Sequence, residues 1–417
     1  MDKIVIIGGN RLEGEVVVSG SKNAALPVMT ATLLSSGKFV IENVPDLRDV
    51  KTMANLLKII GADVKFSEHK MDIDTSNCNT FEAPYDLVRT MRASIYVLGP
   101  LVGRYGYAKV SLPGGCAWGP RPVNLHLEGL KKLGADITLD QGYIIAKAKR
   151  LKGSVIEFDV SSVGATGNVM MAAVLAQGTT LIENAAKEPE IKALAEFLVK
   201  MGAKINGAGT ERLEIEGVDT LHPVKEIMIP DRINAGTFIA AVSVTGGRIT
   251  IKKSNPDHLT FVLSKFREAG VKFKFYNSDI IVDAPDKLEP INVTTAPYPG
   301  FPTDMQAQWT ALMSVTPGIS IVKDTIYLDR FSHVPELRRL GADIQVENNS
   351  AIIKGVRELN GAVVMSTDLR ASASLIIAGL AAKGRTDVLR VYHIDRGYEK
   401  IEEKLKKLGA QIWREKV

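Results

Sequence analysis

Leu56-Leu57-Lys58-Ile59-Ile60-Gly61-Ala62-Asp63-Val64-Lys65 reads as the end of an apolar-faced helix, a glycine stop and the start of a strand. The same arrangement recurs at Gly134, Gly202, Gly270, Gly341 and Gly409, with Ala after each glycine except Gly270, which precedes Val271. The spacing is about 70 residues, longer than the roughly 20 to 50 of solenoid repeats. A repeat of that size buries a face of its own, so six are expected to form two compact α/β domains of three rather than an open superhelix.

Outward from Gly61, the first repeat reads as a strand at 16–18, a helix over 23–34 and a strand at 39–41. A second helix over 47–60 and strands near Val64 and at 71–73 follow, giving the order βαβαββ. Later first helices open near Arg92-Ala93-Ser94, Gly164-Ala165-Thr166, Asn234-Ala235-Gly236-Thr237, Pro302-Thr303-Asp304 and Arg370-Ala371-Ser372. Their small residues suit capping and close backbone approach. Three such helices around one axis, with sheets outside, would bring their N-termini to one face and offer free N–H groups to anions. The last repeat ends at 412–417 without its final strand, while Ile4-Val5-Ile6-Ile7 has no partner. The N-terminal strand is therefore expected to complete the second domain. The domains would be 22–229, and 1–21 together with 230–417.

The 417 residues are 45% hydrophobic and 24% charged, an ordinary globular balance with a net charge of +5. No Lys/Arg block or basic-aromatic stripe accompanies that charge, so nucleic acid is not an expected partner. Cys78 and Cys116 are the only cysteines, which fits a reducing cytoplasm rather than a disulfide framework. The apolar run at 4–7 is too short for a signal peptide or a membrane span. The six histidines show no metal-ligand spacing, and no Walker loop or convincing dinucleotide fingerprint is present. Chemistry without a metal or organic cofactor is expected.

Where the second helix of the second repeat should begin, the chain carries Pro113-Gly114-Gly115-Cys116-Ala117-Trp118-Gly119-Pro120-Arg121-Pro122. Glycine and proline at this density predict a loop, and long loops on repeat scaffolds often carry function. Cys116 reads either as a plain loop thiol or, with Arg121 near, as one that titrates low and reacts. Lys22, in Ser21-Lys22-Asn23, stands at a helix N-terminus where a dipole and an ammonium can seat an anion, or it is simply solvated. Arg92, Arg370 and Arg396 are either surface residues or forks for a small polyanion. Asp304 is an ordinary first-turn acid or a base near a substrate hydroxyl.

Five of these stretches occur together and in order: Ser21-Lys22-Asn23, the Cys116 loop, 299–304, Asp368-Leu369-Arg370-Ala371-Ser372 and Tyr392-His393-Ile394-Asp395-Arg396-Gly397-Tyr398-Glu399. Along essentially its whole length the chain resembles the UDP-N-acetylglucosamine 1-carboxyvinyltransferases, enolpyruvyl transferases that open bacterial peptidoglycan synthesis. The resemblance implies two inside-out α/β domains of three βαβαββ repeats closing over phosphoenolpyruvate and UDP-N-acetylglucosamine. It also implies roles. Lys22, Arg121 and Arg396 would hold phosphoenolpyruvate, Arg92 and Arg370 would complete the positive lining, and Asn23 would touch the reacting centre. Cys116 would be the general acid or covalent partner and the point of alkylation by fosfomycin. Asp304 would be the base at the sugar hydroxyl. Arg121, Pro122, Val123, Asn124 and Leu125, with Ser161, Ser162, Val163, Gly164 and Ile326, would seat the nucleotide sugar.

Two departures from the family pattern fall among the nucleotide contacts. Asn124 stands where the family usually has Asp, and Leu328-Asp329-Arg330-Phe331 replaces Glu-Asn-Arg-Phe, keeping Arg330. The nearest alternative resemblance is to the 5-enolpyruvylshikimate-3-phosphate synthases, which share fold and phosphoenolpyruvate but use no such loop cysteine. A nucleotide-sugar-binding paralogue without activity is a further alternative; the joint presence of Lys22, Cys116, Asp304, Arg370 and Arg396 argues against it.

Overall fold

In the computed structural model, which describes residues 2–112 and 123–416, all six glycine stops adopt the left-handed conformation, with φ from 90° at Gly134 to 106° at Gly61. The N–H that follows each glycine bonds to the carbonyl five residues back: Ala62 to Leu57, Ala135 to Leu130, Ala203 to Leu198, Val271 to Phe266, Ala342 to Leu337 and Ala410 to Leu405, at 2.9 to 3.1 Å. Such a bond closes a helix end by satisfying an orphan carbonyl, and only glycine takes the required φ without a Cβ penalty. The six acceptor residues are all buried apolar side chains, so each helix end is packed where its backbone closes.

Among the described residues, six four-stranded sheets share one plan. In the third repeat Val155–Glu157 runs parallel to Thr179–Glu183, which is antiparallel to Arg212–Glu216, itself antiparallel to the edge strand Lys204–Asn206. The parallel pair needs a crossover, and the helix Val163–Ala173 supplies it.

The first and fourth repeats depart from the βαβαββ reading. The strand expected to lead the first repeat, observed as Glu13–Val17, pairs instead with Arg248–Lys252 of the fourth. Lys225–Ile227 takes the vacated place beside Lys38–Glu42. The exchange follows from where the chain crosses over, because the compact units are Gly20–Ile229 and the pair Met1–Ser19 with Pro230–Val417. A strand that precedes a crossing necessarily belongs to the unit on its own side. Asp2–Ile7 lies between Arg385–Leu389 and Gln411–Lys416, antiparallel to both.

Within each unit, first helices form the interior and sheets the exterior. Arg232–Thr245, Gln306–Met313 and Leu369–Ala381 pack against one another and are buried on nearly every side. In the other unit Leu98–Tyr105 packs on Val163–Ala173, with Lys22–Ala31 beside it. Second helices are one-sided: Arg48–Ile60 buries Val50, Met53, Leu57 and Ile60 at helical spacing and turns Lys51 and Lys58 outward.

Four of the interior helix starts are capped by their own side chains, so part of the expected open N–H groups is already used there, whereas the turns opening at Arg92 and Thr303 have no side-chain cap. Asp231 accepts from the N–H groups of Ile233 and Asn234, and Asp368 from those of Arg370 and Ala371. Ser21 and Ser162 accept from Ala24 and Ala165. Two of these caps are carboxylates, so any positive character at those ends comes from side chains rather than from free backbone donors.

Candidate active site

In the unit formed by Met1–Ser19 and Pro230–Val417, Asp304 stands in the 3₁₀ turn Thr303–Met305 that opens the second interior helix. Arg370, at the start of the third, reaches it with Nη2 at 2.6 Å from Oδ2. Arg330 places Nη2 at 2.9 Å from Oδ1. The two arginines are buried, whereas the Asp304 side chain is 27% exposed. Two buried arginines thus hold one accessible carboxylate in place from both of its oxygens. Burial works against the Arg370 cation, but Asp304, Tyr398 and Asp231 outweigh it and raise its pKa above the ordinary guanidinium value.

Asp324, fully buried, fixes the surroundings of this pair. Its Oδ1 accepts from the Thr295 hydroxyl and from the N–H groups of Ile326 and Tyr327, and its Oδ2 accepts from Thr303 Oγ1 at 2.7 Å. Arg330 Nη1 also donates to Thr303 Oγ1. One carboxylate thereby joins the Ile326 segment to the turn carrying Asp304. Arg396 ends the 3₁₀ turn Val391–Arg396, half-buried. Its neighbour Asp395 is gripped by Arg414 through Nη1 and Nη2 at 3.0 and 2.7 Å, while Arg414 Nε donates to Glu402.

In the unit Gly20–Ile229, Lys22 opens the first interior helix and is buried, with Nζ 3.2 Å from Oδ2 of the buried Asp49. Asn23 beside it is half-buried. Two stretches expected to seat a nucleotide sugar come together through His126. Its ring lies 3.0 Å from where a Cβ on Gly164 would stand, and its Nδ1 is 3.0 Å from Asn168 Nδ2. Asn168 donates there and to the Ile95 carbonyl, so Nδ1 is the acceptor and the proton sits on Nε2. Burial, with Arg92 near, holds the His126 pKa down to about 3. Asn124 is exposed and Leu125 and Val123 half-buried where the helix Asn124–Lys132 begins. Ser161, Ser162, Val163 and Gly164 are half-buried, and the Val163 carbonyl accepts from Tyr96 OH. Cys116, Arg121 and Pro122 lie outside the described residues.

Among the described residues, no group of three or more His, Cys, Asp or Glu side chains is placed to hold a metal ion. Nor, among them, is any helix long and apolar enough to cross a membrane.

The model of the EPSP synthase family (3-phosphoshikimate 1-carboxyvinyltransferase) matches residues 6–405. A UDP-N-acetylglucosamine 1-carboxyvinyltransferase of Chloroherpeton thalassium is 62% identical, covering 100% of this chain and 97% of the relative. Proteins of the same name from Thermodesulfovibrio yellowstonii and Myxococcus xanthus are 57% and 56% identical, over 99% and 100% of this chain and 100% of each relative. The chain belongs to the UDP-N-acetylglucosamine 1-carboxyvinyltransferase family. The crystal structure of the enolpyruvyl transferase NikO from Streptomyces tendae is 27% identical, with a TM-score of 0.88 over 99% of this chain and 98% of that one. An EPSP synthase of Acinetobacter baumannii, at 16% identity and a TM-score of 0.78 over 100% of both chains, shares the fold. The family's fold of two inside-out α/β domains is the one seen here.

Several residues outside the family motifs, though in contact with them or near them, gave no signal of their own in the sequence. Asp49 is one carboxylate on a surface-reading helix, and Asp324 one acid in a loop. Thr237 and Gln308 are lone polar residues on otherwise apolar helices, yet they form hydrogen bonds beside Asp304.

Proposed function

We propose that this enzyme transfers the enolpyruvyl group of phosphoenolpyruvate to the 3-hydroxyl of UDP-N-acetylglucosamine and releases phosphate, the step that opens peptidoglycan synthesis. The observation that supports it best is Asp304, an accessible carboxylate held by Arg330 and Arg370 at 2.9 and 2.6 Å, in a member of this family. Asp304 takes the proton of the sugar hydroxyl as its oxygen bonds to C2 of phosphoenolpyruvate. Cys116 delivers a proton to C3, giving a tetrahedral phospho-intermediate. Loss of a proton from C3 and of phosphate from C2 restores the double bond in the product ether. Lys22, Arg121 and Arg396 hold the phosphorylated acid, with Arg92 and Arg370 as further positive groups and Asn23 at the reacting centre. Arg121, Pro122, Val123, Asn124 and Leu125, with Ser161, Ser162, Val163, Gly164 and Ile326, seat the nucleotide sugar. Both substrates are phosphorylated metabolites that do not cross a bilayer unaided, which supports a cytoplasmic site for the reaction.

Phosphate release measured with phosphoenolpyruvate and each acceptor tests the reading. Turnover is expected with UDP-N-acetylglucosamine and none with shikimate 3-phosphate; the reverse would overturn it. Asp304→Ala is expected to lower kcat more than it weakens sugar binding, and an unchanged kcat would remove Asp304 from the chemistry. Fosfomycin should add its mass to the protein but not to Cys116→Ala.

A further inference from the structure

One buried phenol oxygen is linked to Asp304 by two routes. Arg370 donates through Nη1 to Tyr398 OH at 3.0 Å and through Nη2 to the Asp304 carboxylate at 2.6 Å. Gln308 donates through Nε2 to the same phenol oxygen at 3.1 Å and to the Asp304 main-chain carbonyl at 2.9 Å. The first route ends on the carboxylate and the second on the backbone that carries it.

The direction of each bond follows from counting protons. Gln308 Nε2 gives one proton to the Asp304 carbonyl and shares the other between Tyr398 OH and Thr237 Oγ1 at 3.2 Å, and because Thr237 spends its own proton elsewhere, the phenol proton points to Thr237 Oγ1 at 2.8 Å. Thr237 in turn donates to the Ile233 carbonyl at 2.8 Å. Tyr398, Thr237, Gln308 and Arg370 are each less than 5% exposed, so no water competes for these positions. Burial, the largest influence on Tyr398, raises its pKa and keeps it a neutral phenol with that one proton.

Resting on the role given to Asp304 above, we infer that the Tyr398 hydroxyl is a positioning centre. It sets the rotation of the Arg370 guanidinium, and through Gln308 the Asp304 main chain, so that the carboxylate meets the substrate hydroxyl in one orientation. A phenylalanine would fill the same core volume and lack only the oxygen on which both routes begin. Without it, Arg370 keeps its ion pair but loses the second contact that fixes its plane, and an arginine held at one end swings.

Kinetics of wild type, Tyr398→Phe, Asp304→Asn and the double variant, each checked by thermal melting, test this. Tyr398→Phe is expected to lower kcat on the order of 10- to 100-fold, with KM for the nucleotide sugar within about twofold. In the Asp304→Asn background the same change should cost no more than about twofold, because the carboxylate it positions is gone. A wild-type kcat in folded Tyr398→Phe, or losses that multiply independently in the double variant, would overturn the inference. If Asp304→Asn alone keeps wild-type kcat, it is the role of Asp304 that fails, a separate result. Thr237→Val removes the acceptor of the phenol proton and should give the same kcat-selective loss at smaller size. If Tyr398→Phe does not fold, Thr237→Val decides, and a wild-type kcat there overturns the inference.

Discussion

His126 and His333 are fully buried imidazoles, and burial, with Arg92 and Arg330 respectively adding to it, holds both pKa values down to about 3 from 6.5. Between those values the unfolded chain binds a proton that the folded chain refuses. Stability is therefore fully present above about pH 6.5 and is lost as pH falls toward 3, by about 1.4 kcal/mol per pH unit for each group. His126→Gln keeps an amide acceptor for Asn168 but cannot titrate. Its urea-unfolding free energy should fall less between pH 7 and pH 5 than that of wild type, and an equal fall would exonerate His126. The candidate site divides along similar lines in what the sequence disclosed. Asp304 and Arg370 lie in stretches on which the family resemblance is carried, and Arg330 is the residue kept in a stretch that departs from it. Tyr398 sits inside such a motif without a sign of its own, and Gln308 and Thr237 are isolated polar residues whose meaning depends on what three separate helices bring beside them. Periodicity reports the face of one helix and is silent about its neighbours.

At the scale of elements, the small residues that open the interior helices act through closeness of backbone. A Cβ on Gly99 would stand inside the Asn168 carbonyl, and the Gly99 N–H donates to Asn168 Oδ1 at 2.6 Å. Its φ is not left-handed, so the glycine is required by the neighbouring helix alone. Gly99→Ala must push Leu98–Tyr105 away from Val163–Ala173, with an expected loss of roughly 1 to 3 kcal/mol in chemical denaturation. Gly134→Ala tests the other reason for a glycine: nothing lies within 4 Å of its Cβ position, but its φ is 90°. It should destabilise by about 1 kcal/mol through strain at the helix end, without disturbing the packing. A Gly99→Ala protein as stable as wild type would mean the two helices can separate at no cost. The helices, the glycine stops and the six sheets were legible because each is written in local chemistry: an apolar face, a left-handed residue, alternating side chains. The exchange of leading strands was not, since alternation identifies a strand and says nothing about its partner. The strand expected at 16–18 carries no mark of the fourth repeat, with which it pairs as Glu13–Val17.

Over the whole molecule, that exchange makes the two units unequal as pieces of chain. All three sheets of Gly20–Ile229 are built from strands within that continuous segment. The other unit needs two strands from residues 2–17: Glu13–Val17 at a sheet edge and Asp2–Ile7 in a sheet interior. Removing them deletes the fully buried Ile4, Val5, Ile6 and Leu12 and the nearly buried Val16, opens Arg385–Leu389 and Arg248–Lys252, which were paired on both sides, and takes from Gln411–Lys416 the strand it pairs with. At about 1.5 to 3 kcal/mol for each buried aliphatic side chain, that loss rivals the roughly 5 to 15 kcal/mol holding a domain together. Residues 20–229 expressed alone are therefore expected to unfold cooperatively in urea, whereas residues 230–417 alone should show no cooperative transition. The register supplies a remedy: residue 2 pairs with residue 416 in antiparallel strands, so a short hairpin linker can join the chain end to its beginning. A chain ordered 230–417, linker, 1–19 should regain a cooperative transition, because every strand of that unit is then present in its register. Cooperative unfolding of 230–417 without the added strands, at a midpoint equal to that of the rejoined chain, would show that the N-terminal strands decorate this unit and do not hold it together.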